Sequence, residues 1–267
     1  MKFVKTIIIG IIVGAMVLIS GINVTKMSIY QYILYLSFTG IGLYKEYIGE
    51  FFYRYMPLLV FNIIYGIYIY RHFCCASVYF FSRKNNRVHW FVKEIIDLYI
   101  HALLYIFMIC LVGMMVIFID DKCFMNFNEM LLSLNYILIY SLYLLITTLA
   151  INIVAIVFNS TVGFISVQSV IFFLIAYMMN MGGKLEIIPI KKKYLYFLKL
   201  NPVSNLLFQI HRIRVDEKYK FLLQDGINIE MRYSILYYLL VLVVLVIIGC
   251  VIVHKKEFII NDREDLG

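Results

Sequence analysis

Charged side chains are scarce in this chain. They make up 15% of its 267 residues, whereas apolar residues make up 63%. A soluble globular domain has about a quarter charged and about half apolar residues, so the composition argues against a soluble domain. The mean hydropathy of +0.89 agrees with a chain that lies mostly in lipid. The sequence therefore predicts an integral membrane protein.

The sequence motifs of common catalytic sites are also missing. No GxxxxGK[ST] loop is present to hold nucleotide phosphates, and the GGK at residues 182–184 is followed by Leu185. The chain contains neither an HExxH helix for zinc nor a GxSxG turn for a nucleophilic serine. The five cysteines include Cys74 and Cys75, whose spacing does not suit a metal ion. We therefore expect no catalytic residue, no metal site and no cofactor in this chain.

Long apolar runs occupy most of the sequence. A transmembrane helix needs about 20 such residues, and it must be helical because hydrocarbon offers the backbone no hydrogen-bond partner. Six runs are long enough or nearly so: 7–24, 51–73, 95–119, 131–158, 162–181 and 235–253. The predicted fold class is all-α and polytopic, with one transmembrane domain of six transmembrane helices over residues 1–267. The first run lacks an A-x-A-like cleavage site, which favours a retained anchor over a cleaved signal peptide, the alternative.

The distribution of lysine and arginine predicts the orientation. With both termini in the cytoplasm, the cytoplasmic segments hold ten of these residues, and the first two outer loops hold only Lys26, Lys45, Arg54 and Lys122. This is the bias expected of cytoplasmic loops, although the external loop 182–233 carries ten more. We expect a multi-pass protein of the plasma membrane. The formal charge of +8 suits contact with anionic membrane lipid, and we expect no nucleic-acid partner.

Two amphipathic segments are predicted on the outer side. The segment before the second span places aromatic residues at helical spacing, from Tyr44 to Tyr55. In the loop between spans five and six, Asn201 can cap a helix, Pro202 suits its first position, and the apolar residues up to Ile213 form one face. We expect this segment to anchor at the interface or to pack against the bundle, rather than to bind a substrate.

Two ionisable residues lie within the third span. Asp97 and His101 are four residues apart and share a helix face. Ionisable residues inside membranes suggest a functional site, here a proton relay. Both residues lie within two turns of the predicted cytoplasmic end, so we favour a structural or interfacial polar pair.

A cationic elbow, residues 74–94, connects spans two and three and contains the only tryptophan. The polar run SRKNN at 82–86 predicts a turn between two helical pieces. An apolar face would contain Phe81, Val88 and either Phe91 or Val92, and a second face would contain Arg83, Arg87 and Trp90. The charges suit cytoplasmic orientation alone, with Trp90 as a headgroup anchor, or the docking of a soluble partner.

The elbow, the six spans and the two outer segments together resemble the exporter-type (type 2) ABC transporter permeases. In that family the corresponding elbow is a coupling helix that docks into a separate ATPase subunit, and FFSRKNNRVHWFVKE at residues 80–94 looks like that element. The resemblance implies docking through Arg83, Arg87 and Trp90, packing through Phe80 and Phe81, and a basic residue, Lys93, that opens span three. The family often has a Glu and a Gly before the elbow and a Pro beside its Arg. This chain has none of them, which indicates a divergent branch similar to the permeases of bacteriocin or lantibiotic export and self-protection.

The resemblance also implies the partners. They are a separate ABC ATPase, which would bind ATP and Mg, and a second permease chain, identical or different. The transported compound would be a peptide, a bacteriocin or another amphipathic molecule. Two alternatives stay open: an integral membrane immunity or sequestration protein that needs no ATPase, and a membrane-embedded enzyme.

Overall fold

The part of the chain that the structure describes is almost entirely helical. A computed structural model describes residues 2–19, 28–41, 45–79, 87–119, 127–182, 192–211 and 229–255, and these ranges contain no β-strand. The helices are α1 (Lys2–Ile19), α2 (Ile29–Leu36), α3 (Ile48–Tyr65), α4 (Tyr68–Tyr79), α5 (Arg87–Ile119), α6 (Phe127–Val157), α7 (Ser160–Gly182), α8 (Lys192–Leu200) and α9 (Met231–Lys255). Short 3₁₀ turns cover Lys45–Tyr47, Ser204–Leu206 and Phe208–Ile210.

Five helical stretches of the described chain are long and apolar enough to cross a membrane. They are Lys45–Cys74, Arg87–Phe118, Phe127–Val157, Ser160–Asn180 and Met231–Lys255. The predicted first span corresponds to the shorter apolar helix Phe3–Ile19, and the rest of that predicted span lies outside the described residues. The chain is therefore a helical, multi-pass membrane protein.

Helix α6 forms the centre of the bundle. In its most apolar stretch 78% of the residues are buried, against 11% for α9, and it contacts α5, α7 and α9 most extensively. A helix that is apolar on all sides is expected in such a position. Helix α9 instead exposes large aliphatic side chains such as Leu240 and Val244. It lies at the periphery, where its apolar face suits contact with lipid.

Helix α1 packs closely along α5. A Cβ atom at Gly10 would lie 2.8 Å from Met108 Cβ, and one at Gly14 would lie 3.2 Å from Val112 Cβ. Two glycines four residues apart let the backbones of apolar helices approach in this way. This contact fixes the N-terminal part of the chain, including Lys5 and Thr6, beside the first half of α5.

The aromatic segment before the second span belongs to α3. Phe51 and Tyr55 are buried, Phe52 is half-buried, and Tyr47 is exposed on the preceding 3₁₀ turn. Tyr44 lies outside the described residues. The stripe is therefore present, but it forms the first turns of a membrane-crossing helix rather than a separate element on the surface.

The loop between the last two spans differs from its predicted form. Residues 203–211 form the two 3₁₀ turns instead of one amphipathic helix, and every residue from Val203 to His211 is buried. Asn201 does not cap a helix as predicted: its Oδ1 accepts a hydrogen bond from Val203 N at 2.9 Å, and the 3₁₀ turn that follows has Val203 at its N-cap position, with no side-chain cap. The side chains of Ser204 and Asn205 donate to backbone carbonyls of residues 198–201, which favours turns over a regular helix. The segment packs into the bundle, and Ile213 lies outside the described residues.

Candidate functional site

The elbow lies at the start of a very long helix. Helix α5 has 33 residues, about 50 Å at 1.5 Å per residue, whereas the hydrocarbon layer is about 30 Å thick. Its first turns, with Arg87, Trp90 and Lys93, can therefore project beyond the hydrocarbon. The preceding helix α4 continues to Tyr79, so both helical pieces of the elbow continue the neighbouring spans. The residues Phe80, Phe81 and Arg83 lie outside the described part of the chain.

Two faces are distinct at this end of α5. Phe91 is fully buried, and its ring packs so closely on α9 that a Cβ at Gly249 would lie 2.5 Å from Phe91 Cζ. Val92 and Lys93 are exposed. Of Phe91 and Val92, the two candidates for the apolar face of the elbow, Phe91 is the one that is buried. Phe91 anchors this end of α5 to the bundle and leaves Lys93 accessible from outside it.

Arg87 and Trp90 are each half-buried, and Trp90 faces α4. The Trp90 ring lies 6.1 Å from the ring of Phe73, at 44°. Such a tilted aromatic pair contributes packing beyond the buried area alone. Trp90 therefore contacts the bundle as well as the surface, which agrees equally with a headgroup anchor and with a docking residue.

Asp97 and His101 come together as their spacing predicts. His101 Nε2 lies 3.9 Å from Asp97 Oδ2, and the Tyr68 hydroxyl donates a 2.5 Å hydrogen bond to the same carboxylate oxygen. The His101 side chain is 1% exposed and that of Asp97 is 33% exposed. The carboxylate therefore lies where the buried cluster meets the surface of the bundle.

The partners of His101 come from helices that are distant in sequence. Thr6 Oγ1 on α1 lies 2.7 Å from His101 Nδ1 and also hydrogen-bonds to Tyr65 OH on α3. Phe3 and Tyr65 stack on the imidazole at centroid distances of 4.9 and 5.1 Å. These contacts join α1, α3 and α5 at the end of the bundle that carries the elbow. They fit the structural pair that the sequence favours, and a proton relay stays the alternative.

A polar cavity opens beside this cluster. It has a volume of about 250 Å³ and is lined by Lys5, Ile64, Tyr65, Tyr68, Arg71, His72 and His101. Next to it, His72 Nδ1 lies 2.7 Å from Glu94 Oε2 on α5. Arg71 and His72 lie near the end of the predicted second span, 51–73, and no sequence motif marks them as site residues. Tyr68 lies one helical turn before them on α4, but Lys5 could not be placed beside them without knowing that α1 packs along α5.

The second span is interrupted in its middle. Gly66 and Ile67 separate α3 from α4, and Asn152 Oδ1 on α6 accepts a hydrogen bond from Tyr70 N at 2.9 Å. On the other side of the break, Thr147 on α6 donates to Asn62 Oδ1 at 3.0 Å. Polar side chains from a neighbouring helix thus satisfy backbone and side-chain groups near the break, as broken membrane helices require.

The opposite end of the bundle is covered by two segments, which we call the cap: 28–41, which contains α2, and 201–211. Gln209 joins them, because its Nε2 donates to Ile41 O at 3.0 Å and its Oε1 accepts from Gly40 N at 3.2 Å. Arg54 on α3 donates to the carbonyls of Tyr35 and Thr39 at 3.1 and 3.0 Å. The cap therefore rests on α3 and is held by backbone-directed hydrogen bonds.

A buried polar chain attaches the cap to α9. His211 Nδ1 lies 2.8 Å from Leu207 O, and its Nε2 lies 2.7 Å from Ser234 Oγ. Ser234 Oγ is also 2.6 Å from Asn205 Oδ1. Burial lowers the pKa of His211 to about 4, so the imidazole is neutral at pH 7.

Within the described ranges, no three His, Cys, Asp or Glu side chains are grouped so that they could hold a metal ion. What the chain presents is a projecting helix end, a polar cavity beside it, and a closed opposite end. Comparison with protein-family models, with curated proteins and with solved structures found no match to this chain.

Proposed function

We propose that this chain is the membrane-spanning permease subunit of an ATP-driven exporter of the ABC type. It would move a peptide, a bacteriocin or another amphipathic compound out of the cell or the membrane, and a separate ATPase subunit would bind and hydrolyse ATP. The observation that carries the proposal is the start of α5. There a helix longer than the membrane is thick bears Arg87, Trp90 and Lys93, and buried Phe91 fixes it to the bundle.

The proposed topology has six spans with both termini in the cytoplasm of a cell bounded by the plasma membrane. The apolar helix α1 would be the first span, completed by residues after Ile19. The elbow then lies on the cytoplasmic side, where an ATPase could reach it, and the cap lies on the outer side. This arrangement is supported by the positions of the elbow and the cap, which lie at opposite ends of α3, α4 and α5.

Coupling between the two sides would run through α5. In the second half of this helix, the Tyr32 hydroxyl of the cap donates to Ile109 O at 3.2 Å. A displacement of the docking end would therefore reach the cap through one continuous helix. The present arrangement, with the cap closed by Gln209, corresponds in this proposal to a state that is closed on the outer side.

A second permease chain, identical or different, is part of the proposal. Exporters of this class work as pairs of permeases with two ATPases, and the substrate must bind the inward-open and outward-open states with different affinity. The exposed apolar face of α9 is available for lipid or for such a chain.

The test is affinity purification from native membranes after mild detergent extraction. The unmodified protein is compared with Arg87→Glu/Lys93→Glu and with a control of equal charge change, Arg232→Glu/Lys255→Glu, whose residues are exposed on α9. We expect the unmodified protein and the control to recover a protein that contains a GxxxxGK[ST] motif and hydrolyses ATP. Recovery with the elbow variant should fall about tenfold or more, because reversed charges repel the complementary surface.

Equal membrane insertion of all three forms is checked first. If no ATP-hydrolysing protein accompanies any of them, or if the elbow variant recovers as much as the control, the exporter proposal is wrong. The immunity or sequestration protein would then be the better interpretation, because it requires no ATPase.

A further inference from the structure

The cavity beside His101 has the residues of an anion site. Four helices contribute to it: α1 supplies Lys5, α3 Tyr65, α4 Tyr68 together with Arg71 and His72, and α5 His101. Its volume of about 250 Å³ is several times the roughly 30 Å³ of a water molecule and close to the lower limit of about 300 Å³ for small-ligand pockets. The space suits a small polar group rather than a large ligand.

The lining is cationic. No carboxylate is among the lining residues that the structure describes. The two nearest acids are already engaged, Asp97 by Tyr68 and His101, and Glu94 by His72. Lys5 and Arg71 are exposed at the cavity, and neither forms an ion pair with any residue of the described ranges. Two positive charges therefore face one cavity, and no acid in the part of the chain that the structure describes pairs with them.

The other polar lining groups are already hydrogen-bonded within the protein. Tyr65 OH bonds to Thr6, Tyr68 OH donates to Asp97, and His72 Nδ1 pairs with Glu94, so the two cationic side chains are the charged groups that face the cavity. Guanidinium and ammonium groups bind phosphate oxygens through strong charge-assisted hydrogen bonds. The site lies at the elbow end of the bundle, beside the polar ends of α1 and α5. Basic pockets between transmembrane helices at this level bind lipid headgroups.

We infer that this cavity is a binding site for a phosphate group, with Lys5 and Arg71 as its charged ligands. A glycerophospholipid headgroup and a soluble phosphate ester share this chemistry. The inference goes beyond the proposed function and does not depend on it, because it concerns the isolated chain and requires no ATPase, no second permease and no transported compound.

The experiment measures binding to the full-length protein in a neutral detergent. Three probes separate the sources: dioctanoyl phosphatidylglycerol, soluble glycerol 1-phosphate, and dioctanoylglycerol, which has acyl chains but no phosphate. The test variant is Lys5→Gln/Arg71→Gln. The control is Arg232→Gln/Lys255→Gln, which also removes one exposed lysine and one exposed arginine. A charge-conserving variant, Lys5→Arg/Arg71→Lys, verifies that the site still folds.

We expect saturable binding of a phosphate-containing probe. Its affinity should be about tenfold or more weaker in the test variant, within about twofold of the original in the control, and within about threefold in the charge-conserving variant. If only the binding of dioctanoyl phosphatidylglycerol weakens in the test variant, the ligand is a lipid headgroup. If the binding of glycerol 1-phosphate weakens equally, the ligand is a soluble phosphate ester. The inference is overturned if neither phosphate probe saturates, if test and control variants weaken equally, or if dioctanoylglycerol binds as tightly.

Discussion

Asn152 on α6 accepts a hydrogen bond from the backbone N–H of Tyr70, 2.9 Å away, immediately after the interruption of the second span. Its amide also donates to Thr148 O at 2.7 Å. One buried side chain thus connects the central helix of the bundle to the broken one. The continuity of the second span depends on a residue that is 82 positions away in the sequence.

Asn152→Leu should destabilise the protein. The change leaves the Tyr70 N–H without its acceptor in an apolar interior, which we expect to cost about 1 to 2 kcal/mol of unfolding free energy. The measurement is a denaturant titration in mixed micelles. Thr148→Val, one turn earlier on α6, is the control, since its hydroxyl donates only to carbonyls of its own helix. Equal stability of Asn152→Leu and the unmodified protein would contradict the structure at this point.

Gly249 and Phe91 should be energetically coupled. A methyl group at Gly249 would lie 2.5 Å from Phe91 Cζ, so Gly249→Ala should cost about 1 to 2 kcal/mol of stability by overpacking. Phe91→Leu removes the ring, and in that background Gly249→Ala should be nearly neutral. A double-mutant cycle should give a coupling free energy of about 1 kcal/mol. Additive effects of the two substitutions would show that these residues do not pack together.

The pH dependence of stability should show the burial of His211. Its pKa is lowered to about 4 in the folded chain, whereas an unfolded histidine titrates near pH 6.5. The unfolded state therefore binds a proton first, and the protein loses stability as the pH falls from about 6.5 to about 4, by up to about 3 kcal/mol. In His211→Gln, the unfolding temperature should depend much less on pH across this range. In His254→Gln, at an exposed site on α9, the unfolding temperature should keep its dependence on pH.

Gln209→Leu should loosen the cap. The substitution removes both hydrogen bonds to residues 40 and 41, which we expect to raise amide exchange in peptides covering residues 37–41 by about fivefold or more. Hydrogen–deuterium exchange with mass spectrometry measures this directly. Gln168→Leu is the control: this buried amide on α7 hydrogen-bonds to none of the described residues. Unchanged exchange in Gln209→Leu would show that the bridge does not hold the cap.

Much of the fold follows from the sequence, because the backbone groups of an apolar run in hydrocarbon must hydrogen-bond within a helix. Five of the six apolar runs correspond to helices that are long and apolar enough to cross a membrane, and the spacing of Asp97 and His101 predicted their contact. Helix α2 was missed because it has only 8 residues. A signal was nevertheless present: Ser28 and Gln31 form a capping box, which marks the start of a helix.

Other features could not be predicted, for physical reasons. The interruption at Gly66 lies inside an apolar run and is compensated by Asn152, whose position depends on the packing of α6. The turns at residues 203–211 replaced a helix because short polar side chains bonded to nearby carbonyls, a competition that apolar periodicity does not reveal. The anion cavity needs four helices, and only their packing brings Lys5 next to Arg71.

The two helical arms that meet at the elbow differ in stiffness. Helix α5 runs 33 residues without a proline or an interruption, whereas its neighbour in the hairpin is divided at Gly66 and Ile67. We therefore expect a load on the elbow to bend the interrupted arm first, while the continuous arm moves as one body. The continuous arm is also the one that contacts the cap, through the hydrogen bond from Tyr32 to Ile109 O.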